Sequence, residues 1–260
     1  MSQFWLFKAS AGDVATLPVV MLQLHLLAVY PELLRVLRAA SPLAAGLPDS
    51  VDTILREQKL RPLMQQLHTL LQRREAGGQA QALLAADTAI SPATRRMLTA
   101  LVRAYQDKES RYLNYYGPPR TIKTLPYHQV WQADGSRAAP QLDLRGKLIL
   151  IGFSERLQPE QRDGFYTVYS QEASGLDISG VEIAATALAN MVEGNPVHHL
   201  HPGAQLTLVL LWGLLIGMLA MVWHAGRGIA AVVVAAVAYL FATFQFFSTH
   251  ALWLPLIVQW

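Results

Sequence analysis

The sequence predicts an α/β domain followed by a transmembrane helical hairpin and the start of a third span. Three observations predict it. A strand, a loop and a helix follow one another between Leu144 and Gly194, the order found where helices cover a sheet. The apolar content, 52%, is high for a globular enzyme. Charge is unevenly spread: every acidic residue lies at or before Glu193, and every basic residue except Arg227 lies at or before Arg162. Two chemically different regions therefore share one chain.

Composition also excludes several classes of function. The formal net charge of +3 is too small to argue for a nucleic-acid partner. Without cysteine there is no disulfide framework, no Cys-ligated metal and no thiol nucleophile. Residues 1–20 show neither a basic start followed by a long apolar core nor a cleavage-like ending, so no export signal is legible there.

In chain order, "LPVVMLQLHLLAVY" reads as a buried helix, because it is short for a span and contains His25. Leu33, Leu34 and Leu37 then fall on one side of a helix with Arg35 and Arg38 turned away, and Pro31 is placed to kink or divide it. Asp52 to Arg74 repeats the pattern, with Leu63, Leu67 and Leu70/Leu71 as the stripe and Gly77–Gly78 as the expected stop. Ser91–Pro92 starts a further helix. Its Arg95, Arg96 and Arg103 read as a solvated face rather than an anion patch.

Beyond it, Tyr112, Leu113, Tyr115 and Tyr116 favour a strand, and "GPP" at 117–119 forces a turn. The run "LRGKLILIGF" at 144–153 has the pattern of a strand buried on both faces. In "SGVEIAATALANMVEG", Ser179 is placed to cap a helix, Glu182 to complete a capping box, and Gly194 to end it.

The carboxy-terminal part reads as membrane. "QLTLVLLWGLLIGMLAMVW" and "IAAVVVAAVAYLFATFQFF" carry no formal charge, and each has roughly the 20 residues that a bilayer core requires. The spans are placed at about 205–223 and 228–248, and "ALWLPLIVQW", from about 251, reads as a third span cut short. Arg227 between the first two puts that loop in the cytoplasm and the amino-terminal region outside it.

The consecutive elements "LNYYGPP", "LRGKLILIGFSERLQPEQRDGFYTVYS" and "ISGVEIAATALANMVEGNPVHHLHP", with spans directly after, resemble the carboxy-terminal half of a CHASE-type extracellular sensor domain of type two. The resemblance covers roughly Asn114 to the end of the chain and, more faintly, "ATLPVVMLQL". It implies a partial extracytoplasmic sensor domain at 1–200, incomplete at its amino terminus, and a transmembrane region at 201–260. It further implies a multi-pass protein of the bacterial inner membrane that passes a stimulus to a cytoplasmic effector beyond Trp260, and a homodimer in the intact receptor. The expected partners are the lipid bilayer and an unidentified extracytoplasmic small molecule or protein. The alternative is a fragment of an adenylate or guanylate cyclase, or of a histidine or serine/threonine kinase receptor, named for that effector.

Aromatic residues combined with a few polar groups make Tyr115, Tyr116, Phe165, Tyr166 and Tyr169 either pocket-lining or core. With the carboxylates Asp163 and Glu182, the ligand-binding candidates are Tyr115, Tyr116, Asp163, Phe165, Tyr166 and Glu182. Turn formation by Asp163 and capping by Glu182 explain that pair better than acid/base chemistry does. No catalytic residue and no cofactor are expected. His198, His199 and His201 have the chemistry for a metal or for sensing acidity, and read better as a polar interfacial linker, so no metal is expected.

Overall fold

The computed structural model describes residues 2–107, 110–131, 144, 147–153, 164–167, 169–170, 177–194, 197–222, 225–250 and 252–253. The chain divides into two compact units, Met1–Asn195 and Pro196–Trp260.

The first unit opens with three short strands, β1 (Gln3–Trp5), β2 (Phe7–Lys8) and β3 (Val14–Ala15), the last two forming an antiparallel pair. Thr16 then starts α1 (Leu17–Leu26), and its hydroxyl donates to the Trp5 carbonyl at 2.5 Å and to that of Leu6 at 3.2 Å. A 3-10 turn at Leu27–Val29 separates α1 from α2 (Tyr30–Ala40). Pro31 sits in the first turn of α2, where its missing N–H has no helical partner to lose. The division expected at Pro31 is thus real and falls just before it. Leu33, Leu34, Val36 and Leu37 are buried, while Arg35 pairs with Asp87 and Arg38 with Asp49 at 2.5 Å.

The stripe expected over 52–74 is divided between α3 (Val51–Arg56), capped by Ser50, and α4 (Leu60–Leu71). The turn between them holds Gln58 at φ 53. Leu63, Leu67, Leu70 and Leu71 all face inward. Gly77 and Gly78 do not stop a helix, contrary to the expectation: α5 (Arg74–Ala86) runs through both. A Cβ on Gly77 would come within 1.9 Å of Gln106 Nε2 and 2.8 Å of the Leu71 carbonyl. That glycine serves close packing rather than termination. Next comes α6 (Pro92–Gln106), which begins as expected, with Ser91 Oγ accepting the Thr94 N–H at 3.1 Å.

Strand β4 (Ser110–Tyr112) pairs antiparallel with β1, Gln3 opposite Tyr112. The strand expected through Tyr116 stops at Tyr112, and a turn follows in which the Thr121 N–H and hydroxyl both donate to the Pro118 carbonyl. A short α7 (Tyr127–Trp131), the two-residue strands β5 (Gly164–Phe165) and β6 (Ile178–Ser179), and α8 (Gly180–Glu193) complete the unit.

Among the described residues this unit is mostly helical with few, short strands, so the α/β expectation is met only loosely. Residues 147–153 form no strand among the described residues. Leu148 and Leu150 lean on the helical core while Ile149 and Ile151 point outward, the latter 83% exposed. A strand requires a neighbouring backbone to hydrogen-bond with, and what lies against this segment is the side chain of Val181 on α8, 2.5 Å from where a Cβ on Gly152 would stand. The core joins α1, α2, α4, α5, α6 and α8, with α8 packed on both α1 and α6.

The second unit contains β7 (His198–His199), α9 (Pro202–Val222), α10 (Ala225–His250) and β8 (Leu252–Trp253). At 21 and 26 residues the helices are ~32 and ~39 Å long. Trp212 stacks on Tyr239, ring centroids 4.8 Å apart, where α9 and α10 meet. Arg227 lies in the first turn of α10 rather than in a loop. Among the described residues, two stretches, Leu17–Ala40 and Gly226–Thr249, are long and apolar enough to cross a membrane, and Gly203–Leu219 is a shorter apolar helix. Leu252–Trp253, inside the expected third span, is instead a strand parallel to His198–His199. Residues 254–260 lie outside the described residues.

Candidate functional site

The sequence-selected residues gather along α8. Its inward face carries Ala187, Leu188 and Met191 into the core, and the polar Asn190 interrupts that stripe while being fully buried. Burial of an amide is tolerated when its hydrogen bonds are met. Asn190 Oδ1 accepts the Asn114 N–H at 2.8 Å, and Nδ2 donates to the Asn114 carbonyl at 3.0 Å. The side chain therefore does for Asn114 what a neighbouring strand would do. Two residues on, the Tyr116 hydroxyl donates to Glu193 Oε2 at 2.6 Å. Burial, helped by that carboxylate, pushes the Tyr116 phenol up to about 12.

At the other end of α8 the expected capping box does not form. Ser179 occupies the capping position without a side-chain hydrogen bond, and among the described residues its buried hydroxyl has no partner. Glu182 turns outward and accepts the Arg120 N–H at 2.6 Å. The carboxylate thus bonds the turn that follows β4 rather than the start of its own helix. Gly194 ends the helix as expected, at φ 65. A Cβ there would stand 3.6 Å from Arg103 Nη1, so a cation faces the carbonyl end of α8, where the helix dipole favours it.

The candidates do not converge on one pocket. Tyr115 leans on the core and meets Tyr169 edge to face at 6.4 Å. With Tyr116 it belongs to the Asn190–Glu193 end. Phe165, opposite Ile178 in the β5–β6 pair, and Tyr166 belong to the Glu182 end, 50% and 68% exposed. Glu193 lies eleven positions after Glu182, about 16 Å along the axis. Asp163 lies outside the described residues, as do residues 154–162, so its pairing with Glu182 is not described.

Two further groups of candidates are engaged in part by local structure, the side chains of His198 and His199 lying outside what is described. Arg95 donates to the carbonyls of Asp87 and Ile90 at the start of its own helix, Arg103 faces α8 and Arg96 is solvent-exposed. The three do not make one patch. His201 Nδ1 accepts the Gly203 N–H at 3.2 Å at the start of α9. Among the described residues no three His, Asp or Glu side chains are grouped to hold a metal.

Sequence reasoning missed Asn114, Asn190 and Arg120. The signal for Asn190 was present: a polar residue at an inward position of an apolar stripe requires a partner. The backbone groups of Asn114 and Arg120 left no mark in the sequence.

Neither the curated proteins nor the solved structures include a significant match to this chain. The family comparison is positive: the CHASE2 domain model matches residues 16–222, most of the chain, running from the start of α1 through α8 to the end of α9. CHASE2 is an extracellular sensory domain found in receptors. The helical unit built around α8, together with the apolar helix that follows it, makes this chain a member of the CHASE2 domain family.

Proposed function

We propose that the chain is the extracytoplasmic sensing and signal-transmission part of a bacterial receptor, set in the inner membrane by α9 and α10. In this reading it catalyses no reaction, and it hands a change in α8 to a cytoplasmic effector belonging to the intact receptor, which acts as a homodimer. One observation carries the reading: the family match continues without interruption from the packed helices into α9, a helix whose apolar residues are largely exposed. A stimulus shifts such a module only by binding its two states with different free energies. The bilayer is a partner in the same sense, since it covers the apolar surface of α9 and α10.

Reporter fusions test the arrangement. Alkaline phosphatase joined after Gly194 is expected to be active and green fluorescent protein at that point dark, with the reverse for fusions at Arg227. The opposite pattern overturns it.

A further inference from the structure

We propose that the groove between the 3-10 turn Pro42–Gly46 and α4 binds a small amphiphilic monoanion, a carboxylic acid with a short apolar chain. The groove has a volume of about 410 Å³, within the range of small-molecule pockets. Leu47 and Leu70, 4% and 5% exposed, supply buried apolar surface, and Leu43 adds an uncovered side chain, 53% exposed. Gln65, Gln66 and Arg73 line it as well.

The charge decides what fits. Among the described residues Arg35 and Arg38 are paired with carboxylates and Arg95 with carbonyls, whereas no ion pair or hydrogen bond engages the Arg73 guanidinium, Arg73 bonding only through its backbone to Leu70 and Gly77. One guanidinium presents one planar fork, which matches a single carboxylate. A phosphate dianion calls for more than one cation, and Arg73 is the only charged residue lining the groove. The wall is also built in advance: Ser41 Oγ accepts the Leu43 N–H at 3.4 Å, and the buried Tyr30 donates to the Pro48 carbonyl at 2.7 Å. A preformed site loses less entropy on binding. Occupancy of the groove does not depend on the sensor reading, and the test reads occupancy alone.

The full chain in lipid nanodiscs is titrated with hexanoate and with its neutral counterpart hexanamide, followed by saturation-transfer NMR against empty nanodiscs. Saturable hexanoate binding is expected, with hexanamide about tenfold weaker. Arg73→Gln brings hexanoate down to the hexanamide level. Leu43→Trp, which fills the groove, removes both while the circular dichroism spectrum is unchanged. Hexanoate binding that survives both substitutions, equal binding of acid and amide, or signal no greater than from empty nanodiscs overturns the site.

Discussion

Leu17–Ala40 and Gly226–Thr249 are each 24 residues long, and both are apolar enough to cross a bilayer, with mean hydropathies of 1.6 and 2.2. Half of the first is buried within its unit and 6% of the second. The first places Glu32, Arg35 and Arg38 opposite a buried face formed by Leu33, Leu34 and Leu37, and it breaks at Leu27–Val29. The second has one charge, Arg227, at its start, and its polar side chains, Thr243, Gln245, Ser248 and Thr249, gather toward its end. A hydropathy window counts apolar residues, whereas burial depends on where they point.

Placing one lysine in each stretch separates the two cases most sharply. Leu33, fully buried, is expected to tolerate none: Leu33→Lys should cost about 5 kcal/mol, because the ammonium finds no partner in the core, and hydrogen exchange should show loss of protection throughout α1, α2 and α6. Val234, 69% exposed, should behave differently. Val234→Lys should leave that protection unchanged while costing ~3 kcal/mol of bilayer insertion, read by glycosylation mapping in microsomes. If both variants unfold the packed unit, the second helix is core and the contrast collapses.

The next effects sharpen the description of α8 within the packed unit. Asn190→Ala removes the two hydrogen bonds that its amide makes to the Asn114 backbone and should cost about 3 kcal/mol, measured by denaturant unfolding. The tyrosines supply a pH dependence. Burial pushes Tyr30 up to about 12, as it does Tyr116, from an ordinary 10.0. The folded state keeps those protons longer than the unfolded one, so stability is fully present below pH 10, falls as pH rises, and levels off near 12. Tyr30→Phe should flatten that decline. The smallest change is Gly194→Ala, about 1 kcal/mol, since a Cβ at that point meets only ordinary contact with Arg103 and the cost is backbone alone.

What was legible in the sequence follows the same contrast. Period and caps were readable where cause and effect lie within one helix: the inward leucines of α4, the Ser91 cap, the Gly194 stop. Gly77 was not, because its reason is Gln106, in a different helix, and a glycine kept for space looks the same as one kept for a turn. The run 147–153 has strand composition, yet pairing is a property of a neighbour that composition cannot supply. Of the site, the tyrosines and Glu182 were visible as residue types. Their partners, the Arg120 N–H and the Glu193 carboxylate, were invisible because folding alone brings 114–120 against α8.

The parallel pairing of His198–His199 with Leu252–Trp253 carries a further consequence under the membrane reading. A hairpin is an even number of crossings, so its parity returns the chain to the face it left. Tied at the open end, α9 and α10 move as one piston, and a pull on His199 is felt at Leu252. In that reading the ends of α9 and α10 at Val222 and Ala225 reach the far side, so news of a stimulus would cross either as a displacement of those ends or along a further, odd crossing.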